Sequence, residues 1–191
     1  MNYFNFNIHE KPKKGDLLIS EPFLPDPNFE RTVVLLCEHN EDGSFGFVLN
    51  KPSLLKLNDV MEDVTLEQIL YVGGPVQQDT LHFVHRAGSL LEGSMEVNNG
   101  IFWGGNYEQL QIMLQNGQLD LNDFKFLVGY SGWGSGQLEK ELEEKSWIVS
   151  NAAIPKQVFD MEPDRLWKAI LSEMGGKFRM MANYPIDPRM N

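Results

Sequence analysis

Uninterrupted apolar runs in this sequence are short, and the longest, Val33–Cys37, has five residues. A helix that crosses a membrane needs about 20 apolar residues, so we expect no membrane association. Short apolar runs bounded by Gly, Pro, Asn and Asp are typical of buried β-strands. The sequence therefore predicts a protein built largely of short strands, and its 191 residues fit one domain.

The spacing of apolar and turn residues divides the chain into strands and helices. Strands are predicted at 17–19, 31–38, 45–49, 69–72, 80–86, 124–130 and 146–150. Helical spacing is found at 57–64, 107–116, 137–145 and from Pro163 to Gly175. Because strands outnumber helices and hairpins mix with strand–helix units, we expect an α+β fold with a mixed sheet. Residues 1–14 are predicted to be a tail and residues 15–191 a single domain.

The charge of the chain disfavours nucleic-acid binding. The formal net charge is −11, and residues 61–135 hold two basic and nine acidic residues. Direct DNA binding draws most of its affinity from Lys and Arg side chains that neutralise phosphates. The densest basic cluster, Lys11–Lys14, is interpreted as part of a solvated tail. The lone Cys37 and the lack of an apolar segment within Met1–Lys14 favour a cytoplasmic location without disulfides.

The Gly-rich segment 129–136 is predicted to connect a strand to a helix, a position where backbone N–H groups bind anions. It matches neither a nucleophile elbow nor a phosphate loop, and Gln137 replaces the third glycine of a dinucleotide fingerprint. Two interpretations remain open. The glycines either allow Trp133 to pack beneath a tight turn, or they form a ligand-binding loop.

The histidine and cysteine residues do not predict a metal site, and we expect no cofactor. His82 and His85 are three apart on a predicted strand, so their side chains should face opposite ways. By the same alternation, Cys37 and His39 should share one face, with Glu38 on the other. Cys37 ends an apolar run, which favours a buried, unreactive thiol.

Several short motifs occur in an order that resembles the AlgH/YqgE family of bacterial cytosolic proteins, over about residues 14–150. The motifs are Gly15–Ser20, Glu38-His39, Asn50-Lys51-Pro52, Gly73-Gly74-Pro75-Val76, Gly129–Gly134 and Gly136-Gln137-Leu138-Glu139. The resemblance implies an α+β fold in which a bifurcated sheet curls into a pseudo-barrel with peripheral helices. It implies no settled activity and no catalytic residues, although some members are described as regulators of transcription.

The main functional hypothesis is a non-enzymatic protein that binds a small molecule or a protein partner and affects transcription only indirectly. Its cleft would form where the motif segments converge. The candidate lining residues are Glu38, His39, Asn50, Lys51, Pro52, Gly73, Gly74, Pro75, Ser131, Gly132, Trp133, Gly134 and Gln137.

Two other hypotheses stay open at this point. In a hydrolase, Ser131 would be the nucleophile, His39 the base, and backbone N–H groups at 132–136 the oxyanion donors. That mechanism requires the two side chains within hydrogen-bond reach. In a DNA-binding regulator, the protein would contact DNA directly, which the acidic charge disfavours.

Overall fold

A computed structural model describes residues 11–186, so most of the predicted tail over residues 1–14 lies outside the described range. The strands are β1 (Leu17–Ser20), β2 (Val33–Asn40), β3 (Gly43–Val48), β4 (Pro52–Lys56), β5 (Ile69–Val72), β6 (Val76–His85), β7 (Met95–Asn98), β8 (Ile101–Trp103), β9 (Phe124–Gly134) and β10 (Trp147–Ser150). The α-helices are α1 (Leu57–Val60), α2 (Tyr107–Gln115), α3 (Gln137–Glu143), α4 (Pro163–Met174) and α5 (Gly176–Met181).

Strand β9 is the centre of a mixed sheet. The main path runs β10-β1-β2-β3-β9-β6-β8-β7 with antiparallel neighbours, and a β4–β5 pair joins it at the side. Strand β5 runs parallel to β9 and pairs with residues 127–128, whereas β3 pairs with residues 131–134. The predicted α+β fold and the bifurcation of its sheet are therefore confirmed.

The sheet curls until its two ends approach each other, but the described strands do not close it into a barrel. The side-chain amide of Asn99, after β7, donates to the carbonyl of Ala153, after β10, at 3.1 Å. An inner cluster of apolar side chains fills the curl, and α4 covers it with four buried residues, Leu166, Trp167, Ile170 and Leu171. This helix is fixed to β1 because the Trp167 indole N–H donates to the carbonyl of Ser20 at 3.0 Å.

Two smaller clusters lie on the outer faces of the sheet. One packs α1 and α2 against β6 and β9 around Phe126. The other packs Leu138 of α3 against Trp133 and Trp147. Helices α2 and α4 begin as their sequences predict, with Asn106 capping α2 through the N–H of Gln109 and Pro163 in the first turn of α4.

Several local predictions were wrong. Residues 131–134 continue β9 as a paired strand rather than forming a loop, because β3 lies beside them. No strand is predicted at 52–56, where β4 lies, and the helix expected at 57–64 is the single turn α1. Helix α5 and a π-helical turn at Lys156–Asp160 were not predicted, since both depend on packing rather than on a periodic pattern.

The sheet divides at Gly73, directly after β5. Its N–H donates to the carbonyl of Val128 in β9 at 2.9 Å. Its carbonyl accepts the N–H of Val48 in β3 at 2.8 Å and the hydroxyl of Ser131 at 3.1 Å. A Cβ on Gly73 would collide with the carbonyl oxygen of Gly129. One residue without a side chain therefore joins three strands at the fork.

Lys125 places an ammonium group inside the curl of the sheet. Its Nζ donates to the carbonyl of Leu49 at 2.9 Å and lies 4.0 Å from the centre of the Tyr71 ring. Burial lowers the pKa of Lys125 to about 8, because an apolar surrounding disfavours the charged form.

Replacing Gly73 with Ala should lower the free energy of unfolding by about 3 kcal/mol, because a backbone collision at the fork has no flexible side chain to relieve it. Gly134→Ala is the matched control. Gly134, the last residue of β9, likewise lacks a positive φ, and the nearest atom to an added Cβ is Gln137 Oε1 at 3.9 Å. Urea denaturation of both variants measures the difference. Equal stabilities would contradict the assigned role of the fork.

The buried Lys125 predicts a rise in stability with pH above about 8. In that range the unfolded chain still binds a proton at this lysine while the folded chain releases it, so raising the pH favours the folded state. Between pH 8 and pH 9.5 the gain should be about 1.5 kcal/mol, since the unfolded chain binds most of a proton more than the folded chain over this range, and a full proton corresponds to about 1.4 kcal/mol per pH unit. Urea denaturation across this range should show a clearly smaller rise for Lys125→Met, and the same rise in both proteins would refute the prediction.

Candidate functional site

An open pocket of about 620 Å³ lies at the mouth of the curled sheet. Its walls include four ring-bearing residues from four strands: Phe45 of β3, His82 of β6, Trp103 of β8 and Tyr130 of β9. We call it the aromatic pocket. Its other lining residues are Glu38, Asn40, Asp42, Gly43, Ser44, Val76, Gly132 and Trp133.

The rings of the aromatic pocket hold one another by edge-to-face contacts. Phe45 meets Trp103 with ring centroids 4.8 Å apart and Tyr130 with centroids 6.2 Å apart. His82 meets Tyr130 at 5.9 Å, also edge to face. Because such pairs are favourable beyond their buried area, they stabilise the walls of the pocket.

Two ring nitrogens in these walls have no hydrogen-bond partner among the described residues. They are Nε1 of Trp103 and Nε2 of His82, and both atoms are buried. Burial lowers the pKa of His82, so its imidazole is neutral at neutral pH. Buried polar atoms normally have a hydrogen-bond partner, so these two unpartnered nitrogens make the pocket a candidate binding site.

The remaining polar groups of the aromatic pocket come mainly from the hairpin between β2 and β3. The Asn40 side-chain oxygen accepts the N–H of Asp42 at 2.9 Å, and the Ser44 hydroxyl lies 2.7 Å from Nδ1 of His39. Neither Glu38 nor Asp42 forms an ion pair with any residue in 11–186. The hairpin therefore presents two unpaired carboxylates to the pocket.

The structure does not bring all the predicted cleft residues together. Glu38, Gly132 and Trp133 line the aromatic pocket. A separate depression of about 300 Å³ is lined by other predicted residues, namely Asn50, Lys51, Pro52, Gly74 and Pro75. The predicted residues therefore do not share one cleft, and their role in ligand binding stays a prediction.

In the smaller depression, the polar side chains are bound to backbone groups of the Pro-rich loop before β2. Lys51 Nζ donates to the carbonyls of Pro27 and Asn28 at 2.7 and 2.8 Å. Asn50 accepts the N–H of Val33 and donates to the carbonyl of Arg31. Burial lowers the pKa of Lys51, although Glu30 and Asp26 oppose this shift. These groups stabilise the loop and are not free for a ligand.

The hydrolase hypothesis is not supported by the geometry of Ser131 and His39. Ser131 is fully buried, and its hydroxyl donates to the carbonyl of Gly73. His39 pairs in register with Ser44 of β3, which in turn pairs with Trp133. Strand β3 thus separates the two residues by two strand spacings, roughly 10 Å, and no nucleophile–base contact forms.

A β-bulge explains why the predicted faces of β2 were wrong. The register shifts between Leu36 and Glu38, which breaks the alternation of side chains. Cys37 packs in the inner cluster, while His39 Nε2 lies 3.7 Å from a carboxylate oxygen of Glu139 in α3, on the outside. The Cys37 thiol is buried, and burial raises its pKa, so the prediction of an unreactive thiol agrees with its surroundings.

The Gly-Trp-Gly segment and α3 are joined by a hydrogen-bond network centred on Glu141. One carboxylate oxygen of Glu141 accepts the indole N–H groups of Trp133 and Trp147, each at 2.8 Å. The Gln137 side chain accepts the N–H of Gly134 at 3.0 Å and donates to the other oxygen of Glu141 at 2.9 Å. This favours the structural interpretation of the glycines, in which they let Trp133 pack closely.

Sequence reasoning missed most of the aromatic wall. Phe45 and Tyr130 were assigned to strands as ordinary core residues, and His82 was considered only as a metal ligand. Alternation along each strand places them on the inner face, but it does not show that β3, β6, β8 and β9 meet. Their convergence depends on the fork of the sheet.

Residues 11–186 contain neither a metal-binding cluster nor a membrane-crossing helix. No group of three or more His, Cys, Asp or Glu side chains is arranged to hold a metal ion. No helix in this range has the length and apolar character needed to cross a membrane.

Comparison with known proteins gives a consistent result. A family model described as AlgH-like matches residues 17–179. A UPF0301 protein of Cytophaga hutchinsonii is 48% identical over 180 residues, which cover 93% of this chain and 98% of that protein. A UPF0301 protein of Chlorobium limicola is 42% identical over 188 residues, covering 97% and 99%.

Solved structures show the same fold. The solution structure of the AlgH protein from Pseudomonas aeruginosa matches with a TM-score of 0.73 and 29% identity, covering 93% of this chain and 97% of that one. The crystal structure of protein DIP2367 from Corynebacterium diphtheriae matches with a TM-score of 0.75 and 22% identity, covering 92% and 94%.

Replacing Glu141 with Ala should lower the free energy of unfolding by about 2 kcal/mol, because two indole N–H groups lose their acceptor. Glu143→Ala is the control, since Glu143 lies on the same helix and is exposed; it should change stability by less than about 0.5 kcal/mol. Chemical denaturation followed by tryptophan fluorescence measures both. A Glu141→Ala variant as stable as the control would show that the network contributes little.

Proposed function

This chain belongs to the AlgH-like family, and from that starting point we propose that it is a cytoplasmic binding protein whose aromatic pocket holds a small molecule. The observation that carries the proposal is the pair of buried, unpartnered nitrogens, Trp103 Nε1 and His82 Nε2, in the walls of one pocket. Both atoms are covered by neighbouring protein atoms, so a ligand would reach them only after a small movement of the rings, and its polar atoms would then satisfy them.

The size and walls of the aromatic pocket support a small molecule rather than a protein surface. Its volume of about 620 Å³ falls within the range of about 300–1,000 Å³ usual for ligand sites. Phe45, Trp103 and Tyr130 supply broad apolar surface for a flat group. Trp103 N–H can donate, and the neutral His82 ring can accept or donate, so the two nitrogens would fix the orientation of the ligand.

The role proposed here is binding rather than catalysis. The Ser44 hydroxyl lies 2.7 Å from His39 Nδ1, and Glu139 lies 3.7 Å from His39 Nε2. These side chains resemble a serine–histidine–carboxylate set, but they lie on the outer side of β2 and β3, away from the rings of the aromatic pocket. The alternative of direct DNA contact is disfavoured by the acidic charge of the chain. Any effect on transcription would then follow from occupation of the pocket.

The proposal is tested by a thermal-shift screen of metabolites, followed by ¹H–¹⁵N NMR of the indole groups. The chain has four Trp residues, so the Trp103 signal is identified by its absence in Trp103→Phe. Compounds that raise the melting temperature should shift this signal and bind Trp103→Phe about tenfold more weakly, equivalent to about 1.4 kcal/mol. The loss of one hydrogen bond and of part of the apolar wall surface accounts for this tenfold change in affinity.

Tyr107→Phe is the matched control, because Tyr107 is an exposed aromatic residue on α2 that does not line the pocket. It should bind the same compounds as the wild type. The proposal fails if no compound stabilises the protein, or if every compound that does binds Trp103→Phe with unchanged affinity.

A further inference from the structure

We infer that the ligand of the aromatic pocket is an organic cation, in which an amine or guanidinium group adjoins a flat group with a hydrogen-bond acceptor for the Trp103 N–H. This inference rests on the proposed function and deepens it by naming the ligand class. It combines the aromatic walls with the two carboxylates of the β2–β3 hairpin.

The first support is the set of rings around one cavity. The faces of Trp, Tyr and Phe rings attract cations through their quadrupoles, and Trp does so most strongly. Phe45, Trp103 and Tyr130 all line the pocket, and their mutual edge-to-face packing keeps them in place. A cation that enters the pocket would meet such rings from more than one strand.

The second support is the charge at the rim. Glu38 and Asp42 line the aromatic pocket, and neither has an ion-pair partner within the described range. The residues that line the pocket include no Lys and no Arg. An anionic ligand, such as a phosphate ester or a carboxylate, would therefore face two negative charges with no Lys or Arg among the lining residues to compensate them.

The third support is the net negative charge of the chain segment that supplies most of the ring-bearing walls of the pocket. Residues 61–135 supply Val76, His82, Trp103 and Tyr130 to the pocket, and this part of the chain has two basic and nine acidic residues. A cleft lined by one sign of charge concentrates ligands of the opposite sign. Of the two basic residues, Lys125 has its ammonium bound to the carbonyl of Leu49, and Arg86 pairs with Asp123 and Asp160.

The test uses three probes that share a phenyl ring and a two-carbon chain: phenethylamine, 2-phenylethanol and 3-phenylpropionate. At neutral pH they are cationic, neutral and anionic. Each is titrated into ¹⁵N-labelled protein, and the indole N–H signal of Trp103 is followed. We expect phenethylamine to bind with a dissociation constant on the order of 1 mM, the alcohol about five- to tenfold more weakly, and the carboxylate more weakly still.

The double variant Glu38→Gln with Asp42→Asn should abolish most of the preference for the amine over the alcohol, because the binding of the amine should weaken far more than the binding of the alcohol. Glu41→Gln is the matched control, because Glu41 lies in the same turn but does not line the pocket. It should retain the preference. Added salt should weaken the binding of the amine more than the binding of the alcohol, since salt screens exposed charges.

Three results would overturn the inference. Equal binding of all three probes would remove the charge preference, yet would leave a binding pocket in place. A preference that survives in the double variant would show that Glu38 and Asp42 do not cause it. If none of the three probes at about 10 mM shifts the Trp103 signal, the pocket does not bind an organic cation with the expected affinity. The metabolite screen then decides separately whether the pocket binds any other compound.

Discussion

The structure depends on the close approach of three strands at Gly73. The backbone of this residue bonds to β9 through its N–H and to β3 through its carbonyl, and the Ser131 hydroxyl shares that carbonyl. Only a residue without a side chain fits beside the carbonyl of Gly129. Because β5 is wedged there, β3 can pair with just the last residues of β9, and the sheet must fork and curl.

The curl gives the protein a large buried interior and also an opening. Helix α4 fills most of the inner face, whereas the end formed by the β2–β3 hairpin and the last part of β9 stays uncovered as the aromatic pocket. The same strands that build the core thus deliver Phe45 and Tyr130 to the opening. A site made this way is rigid, since its walls are continuous with the sheet.

The motifs that identify the family serve mainly to hold the fold. Asn50 and Lys51 bind the loop before β2, and Trp133 is tied to α3 through Glu141. Of the predicted cleft, the aromatic pocket includes Glu38, Gly132 and Trp133. Short motifs stand out in a sequence because they combine unusual residues, but a fork or a tight turn requires such residues as much as a ligand does.

The sequence by itself determined the α+β class, the positions of β5 and α2, the start of α4, and the acidic charge, because these follow from local periodicity, capping residues and composition. Only the tertiary structure decided that residues 131–134 are a strand, that a bulge turns His39 outward, and that four rings from four strands meet. Those outcomes depend on hydrogen bonds between segments far apart in the chain, and no local pattern records which strands will pair.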